Sequence, residues 1–189
     1  MNYDASISTL FFLPSFLFLF KYNREIARLY FYILISGLSL YEFYHKKLYL
    51  FNHLDLNEYN YIGDQCRSIG LQYFIVDIFY IKDKAFFFHH GLILFAVFLS
   101  FYLNQGYYLI IYFSLNEISS IFLSLKLLNI YKKTCNLLFI FNFFIFRILL
   151  LPLLTFYYRH IYHAFIILLL DDILHLYWII KLSKQFILF

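Results

Sequence analysis

The chain is built of long apolar runs separated by short polar breaks, and this pattern sets what it can fold into. Residues 85–103, AFFFHHGLILFAVFLSFYL, are typical: nineteen positions broken only by a histidine pair, a glycine and one serine. The runs lack the every-other-residue alternation of a membrane strand, which argues against a β-barrel. A lipid environment admits only helices or closed barrels, because every backbone polar group must be satisfied internally. The expected class is therefore an all-α, polytopic transmembrane helix bundle.

Composition supports the class. Of 189 residues, 63% are hydrophobic and 14% charged, against about 45–50% and about 25% in soluble domains. A soluble domain this short has too much surface for its volume to hide that apolar content. A soluble enzyme, a disordered chain and a nucleic-acid-binding domain are excluded on this ground, so no nucleic-acid partner is expected. Aromatic residues reach 25%; they read as lipid-facing filler, and single aromatics carry little functional weight.

Seven helical segments are expected, at about 5–20, 26–44, 67–82, 85–103, 106–126, 136–157 and 160–181. The first is short and contains Pro14. It has Asp4 and no basic residue ahead of it, and no small-residue cleavage site after it, so an uncleaved first helix is favoured over a signal peptide. Residues 1–20 form that helix, outside a core domain of 21–189. Basic residues concentrate on every second connection: Lys21, Arg24 and Arg28; Lys82 and Lys84; Lys126, Lys132 and Lys133; Lys181 and Lys184. The positive-inside rule then puts the N-terminus outside and the C-terminus in the cytosol. The net charge of +4 reads the same way.

The chain has no CxxC, HExxH, Walker loop or GxGxxG, so its motifs require no cofactor or metal. Cys66 and Cys135 fall on opposite sides of the expected membrane and cannot pair.

The informative residues are the ionisable groups inside helices, since a charge in hydrocarbon costs at least about 2.5–3.5 kcal/mol. They are Asp77, His89, His90, Glu117, Arg147, Asp171, Asp172 and His175. Tyr44, His45, His160 and His163 lie near segment ends, where an interfacial position is ordinary. At about 1.5 Å per residue, Asp77 and the His pair each sit some five residues from the inner ends of their helices. Six or seven helices around one inner cavity, open toward the inner leaflet, account for the overlap. Asn116, Ser120 and Ser124 follow at i, i+4 and i+8, with Glu117 beside them, and make one polar stripe. The stripe serves either as interhelical glue or as a binding surface. Arg147 is a counterion for Glu117, Asp171 or Asp172. Adjacent helical residues point about 100° apart, so one histidine of the pair can face a cavity while the other meets a neighbouring helix. Two such residues are poorly placed to hold one metal.

The stretch from Tyr73 to Leu128 resembles the TLC-domain family of polytopic membrane proteins, which includes ceramide synthases and smaller TLC domain-containing proteins. The matching pieces are YFIVDIFY with Asp77, FFFHHG with His89 and His90, and LNEISSIFLSLKLL with Glu117, Ser119 and Ser120. Weaker likeness extends over about residues 20–185, in NREIARLY, in FNFFIFRILLLP with Arg147 and Pro152, and in LYWIIKLSK with Trp178. Ceramide synthases carry a His-Asp pair, a further Asp and then a Glu after the histidine pair. This chain has Asn116, Glu117, Ser120 and Ser124 at those positions. The departure counts against acyl-CoA-dependent N-acylation and toward the smaller members, which are linked to membrane lipid homeostasis.

The resemblance implies a lipid partner, bound or sensed in a polar intramembrane cavity by Asp77, Asn116, Glu117, Ser120 and Arg147, with the endoplasmic reticulum as first location and the plasma membrane second. The alternative is an acyl-CoA-dependent lipid or sphingoid-base acyltransferase. In it His89 and His90 are the catalytic candidates, one acting as general base, with Glu117 orienting or charge-compensating the imidazole. A transporter using the same acids is a third reading, which lacks the paired broken helices such machines use.

Overall fold

The computed structural model describes residues 12–46 and 57–187. Residues 5–11 of the expected first segment, and 47–56 of the connection between the second and third expected segments, lie outside the described residues. The helices are α1 (Phe12–Tyr22), α2 (Arg24–His45), α3 (Tyr61–Ile78), α4 (Lys84–Leu103), α5 (Tyr107–Leu115), α6 (Glu117–Leu127), α7 (Lys132–Phe143), α8 (Leu151–Tyr157) and α9 (Tyr162–Ile187). A π-helical segment, Phe144–Leu150, joins α7 to α8, and a 3-10 turn, Tyr158–His160, leads into α9. Counting α5–α6 and α7–α8 as continuous rods leaves seven helical passes among the described residues, with no strand. This is the expected all-α bundle.

Five of the passes are long and apolar enough to span a membrane. α3 has the length, with 18 residues, but carries Asp64, Arg67 and Asp77. It is accommodated because those charges turn inward: nine of its 18 residues are buried, Arg67 and Asp77 among them. The protein is a multi-pass membrane protein whose outer surface is apolar. Phe98, Leu137, Phe141 and Phe156 are all exposed, as lipid-facing side chains must be.

Side-chain caps set the helix starts. The Asn23 carboxamide oxygen accepts from the Glu25 and Ile26 amides at 2.9 and 3.2 Å. Asn60 accepts from Gly63 at 2.7 Å, which starts α3 six residues before the expected position. Asp83 accepts from Ala85 and Phe86 at 2.8 and 3.2 Å and ends the connection before α4. Those amide hydrogen bonds, Phe86's first, hold its carboxyl below the usual carboxylate range. Asn104 and Gly106, with φ of 52° and 79°, make the tight turn into α5. A left-handed glycine is the low-strain choice there.

Two apolar clusters hold the bundle. One joins α1 through α5 around Phe16, Phe31 and Tyr73, with the Phe31 and Tyr73 rings stacked 3.6 Å apart. The other joins α5, α8 and α9 around Tyr108, Tyr112, Leu154 and Leu168. A buried polar knot ties α3 to the turn at the far end of α4. Arg67 donates to Asp64 and, at 2.8 Å, to the Ser100 carbonyl; its guanidinium lies 4.0 Å over the Phe101 ring.

α3 and α5 meet backbone to backbone at Gly63, where an added Cβ falls 2.5 Å from the Tyr107 carbonyl oxygen. Gly63→Ala is therefore expected to destabilise the bundle by about 1–3 kcal/mol through forced separation of the two helices. Denaturant titration in mixed micelles reads this directly. An unchanged midpoint contradicts the close approach.

Candidate functional site

The histidine pair opens α4, and the 100° step between neighbours sends the two rings to different helices. His89 Nδ1 lies 2.8 Å from Asp171 Oδ1 on α9. His90 Nδ1 lies 2.9 Å from Asp77 Oδ2 on α3. Each histidine thus has its own carboxylate, and the pair divides the polar interior into two clusters.

The first cluster centres on Arg147. The π segment that carries it widens the helix by one residue per turn, a geometry that recurs at functional sites. Its guanidinium donates from Nε to Ser119 Oγ at 3.0 Å, from Nη1 to His175 Nε2 at 2.7 Å and from Nη2 to Ser120 Oγ at 3.0 Å. The Asn116 carbonyl and Glu117 Oε2 accept from Nη2 at 3.3 and 3.4 Å. These acceptors lie at Asn116 and in the first turn of α6, where the helix is interrupted between Leu115, the end of α5, and Glu117, the start of α6. The expected single helix of 106–126 is therefore interrupted at its polar stripe.

The network assigns the tautomers. Guanidinium has only donors, so His175 Nε2 is an acceptor and its proton sits on Nδ1, 3.7 Å from Asp171 Oδ2. Asp171 is then the acceptor for the His89 Nδ1 proton. In the neutral ring, that makes His89 Nε2 the acceptor nitrogen.

His89, Asp171 and His175 place one donor atom each within 4.8 Å of one another, close enough to suggest a metal. The donor set does not fit one. A cation on His175 Nδ1 forces the proton to Nε2, against the Arg147 N–H, and sets a second positive charge beside the guanidinium.

The second cluster centres on Asp77, which is fully buried. Its Oδ1 accepts from the Nε atoms of Arg24 and Arg28, and its Oδ2 from Arg28 Nη2, all at 3.3 Å. α3 ends at Ile78, so Asp77 lies in the last turn instead of some five residues inside. This terminal position is what lets the first turns of α2 reach it.

Two spaces meet at the first cluster. One, of about 30 Å³, is apolar along Ile93, Ala96, Val97 and Phe113, with His89, Glu117, Arg147, Asp171 and His175 at its polar end. The other, of about 280 Å³, is the more polar of the two, with Glu25, Arg28, His90, Ser120 and Ser124 in its walls. His89, Glu117 and Arg147 line both. The shape is amphipathic, with the polar centre as the partition.

Of the residues singled out from sequence, His89, Asn116, Glu117, Ser120 and Arg147 come together. Asp77 and His90 form the neighbouring knot. Arg147 is a counterion of Glu117, as one of the sequence alternatives has it. Asp172 goes elsewhere, accepting from Thr155 Oγ1 at 2.6 Å. Glu117 does not orient a histidine; its 3.4 Å partner is Arg147, and Asp171 holds the imidazole. Arg24 and Arg28 escape notice as interior partners because they read as loop charges, although their i, i+4 spacing at a helix start puts them on one face. Asp171 and His175 share the same spacing, which marks one face of α9.

Buried carboxylate–histidine and carboxylate–arginine pairs at the junction of a polar and an apolar cavity, inside a membrane bundle, define a polytopic protein with an intramembrane polar site. The chain matches the family model of the TLC domain over residues 21–184. It belongs to the TLC-domain family. No curated protein and no solved structure matches it.

Proposed function

We propose that the chain binds a lipid in this two-part cavity and serves membrane lipid homeostasis, in the endoplasmic reticulum before the plasma membrane. The observation that carries the reading is the partition itself. His89, Glu117 and Arg147 line both an apolar space and a polar one, so an amphipathic ligand satisfies the two at once. An apolar ligand leaves the polar half uncovered, and a small polar ligand leaves the apolar half empty. In this reading His89 and Glu117 touch the headgroup, with Asn116, Ser120 and Arg147 beside them. Asp77 serves by holding His90 and α2 in place.

One observation favours a second reading, acyl-CoA-dependent acyl transfer to an amine or hydroxyl. His89 has a carboxylate on Nδ1 and, in the neutral ring, an acceptor Nε2, the arrangement of an oriented general base. In that reaction Nε2 takes the proton of the attacking amine or hydroxyl as the new acyl bond forms and the thiolate leaves. Asp171 stabilises the imidazolium.

The test is native mass spectrometry of the purified full chain, followed by incubation with acyl-CoA and a panel of long-chain bases and lysolipids. Retained lipid without turnover supports the binding reading. Product formation supports the acyltransferase. A chain that carries no lipid and turns over nothing contradicts both.

A further inference from the structure

A third opening reaches the same centre from the side, between α4, α6, α7 and α9. It is about 210 Å³, and its walls include Ser120, Lys126, Arg147, Trp178 and Lys181. Its chemistry differs from that of the polar vestibule. The vestibule walls hold Glu25 and Glu117, whereas this opening is lined by three cations and no carboxylate. Lys126 Nζ is met by the neutral Asn136 Oδ1 at 2.6 Å, so its charge is uncompensated there. Lys181 has a loose contact with Asp83 at 3.5 Å, both about half exposed.

Lysine and arginine donate only, and the Ser120 hydroxyl already takes a hydrogen bond from Arg147. The polar groups of this wall together call for a ligand rich in acceptors and negative charge.

We propose that this lateral opening binds the phosphate group of an anionic phospholipid, with Lys126 and Lys181 as its donors. The inference rests on the lipid-binding reading and names the headgroup chemistry. The lipid is favoured over a soluble ester because Leu123, Phe139 and Phe143 line the same space and give a lipid's glycerol and chains apolar contact. The lysines stand at the end of the bundle that the positive-inside rule places at the cytosolic leaflet, where anionic lipids concentrate.

Trp178 is the chain's single tryptophan and forms part of this wall, so its fluorescence responds to a ligand bound here, and the lysine variants assign the response to this opening. The experiment titrates short-chain phosphatidic acid into the full chain in neutral micelles and follows the emission. Phosphatidylcholine of the same chain length, and inorganic phosphate, are the parallel arms. Phosphatidic acid is expected to give a saturable shift at concentrations at least about tenfold below phosphatidylcholine, since each lysine is worth about fivefold in that preference. K126Q/K181Q should therefore erase most of it, and K126R/K181R should keep it. Both lysines lie outside the buried network, and circular dichroism checks that the variants fold. Equal affinity for the two lipids, or an unchanged preference in K126Q/K181Q, overturns the phosphate site while lipid binding stands. Inorganic phosphate binding as tightly as phosphatidic acid overturns the lipid as its source. No shift with any lipid, from a chain that also retains none, removes the lipid-binding reading together with this inference.

Discussion

Arg147→Leu is expected to destabilise the protein by about 3–5 kcal/mol, the cost of removing one partner from a buried ion network. The guanidinium serves Ser119, Ser120, His175, the Asn116 carbonyl and Glu117. Leucine fills part of the volume but leaves the Glu117 carboxylate in hydrocarbon without a counterion. Arg147→Lys restores the charge and not the fork, since one ammonium cannot reach α6 and α9 at once; it should recover less than half of the loss. The double change R147L/E117Q should be more stable than R147L alone, because it removes the stranded charge. Reversible unfolding in mixed micelles measures all three. A loss below about 1 kcal/mol for R147L, well under the cost of stranding a buried charge, would show that the network contributes little.

His89→Ala and His90→Ala are expected to differ in kind. Neighbours in sequence, they face different elements and do different work. His89 touches Asp171 and lines both cavities. Its loss should abolish lipid-dependent function with protein level close to wild type. If the chain transfers acyl groups, the rate should fall by about 10²–10⁴-fold, the contribution of a positioned base. His90 touches Asp77, the carboxylate that also holds Arg24 and Arg28. His90→Ala should instead lower stability by about 1–3 kcal/mol, because it removes the imidazole that packs at 2.9 Å against the buried Asp77 carboxylate and leaves a cavity beside it. His90→Gln, whose amide can donate to Asp77, should recover part of it. Stability and function measured side by side on the three variants separate these roles. Equal functional loss from both alanine changes, at equal stability, would contradict the division.

The bundle is legible in the sequence because its signal is redundant. Apolar runs, short polar breaks and alternating loop charge all point to the same helices, and the histidine pair with LNEISSIFLSLKLL marks the family. Helix ends are less legible. α3 begins at Tyr61 because Asn60 caps it and Gly63 admits α5; neither is visible in hydropathy, and Arg67 then reads as a loop charge. The interruption at Asn116 and the π segment around Arg147 have no periodic signature. Residue types at the site are visible as ionisable groups at membrane depth, but their pairing is not. Pairing depends on which face of α9 turns inward, and that places Asp171, and not Glu117, against His89.

The central claim is that the cluster at the partition handles a lipid. The most direct measurement is the lipid profile of cells lacking the protein, complemented with wild type, His89→Ala or Asp171→Asn at matched protein level. Wild type should restore the profile, and both variants should leave it as in the deletion. A His89→Ala chain that restores the profile as fully as wild type would contradict the account.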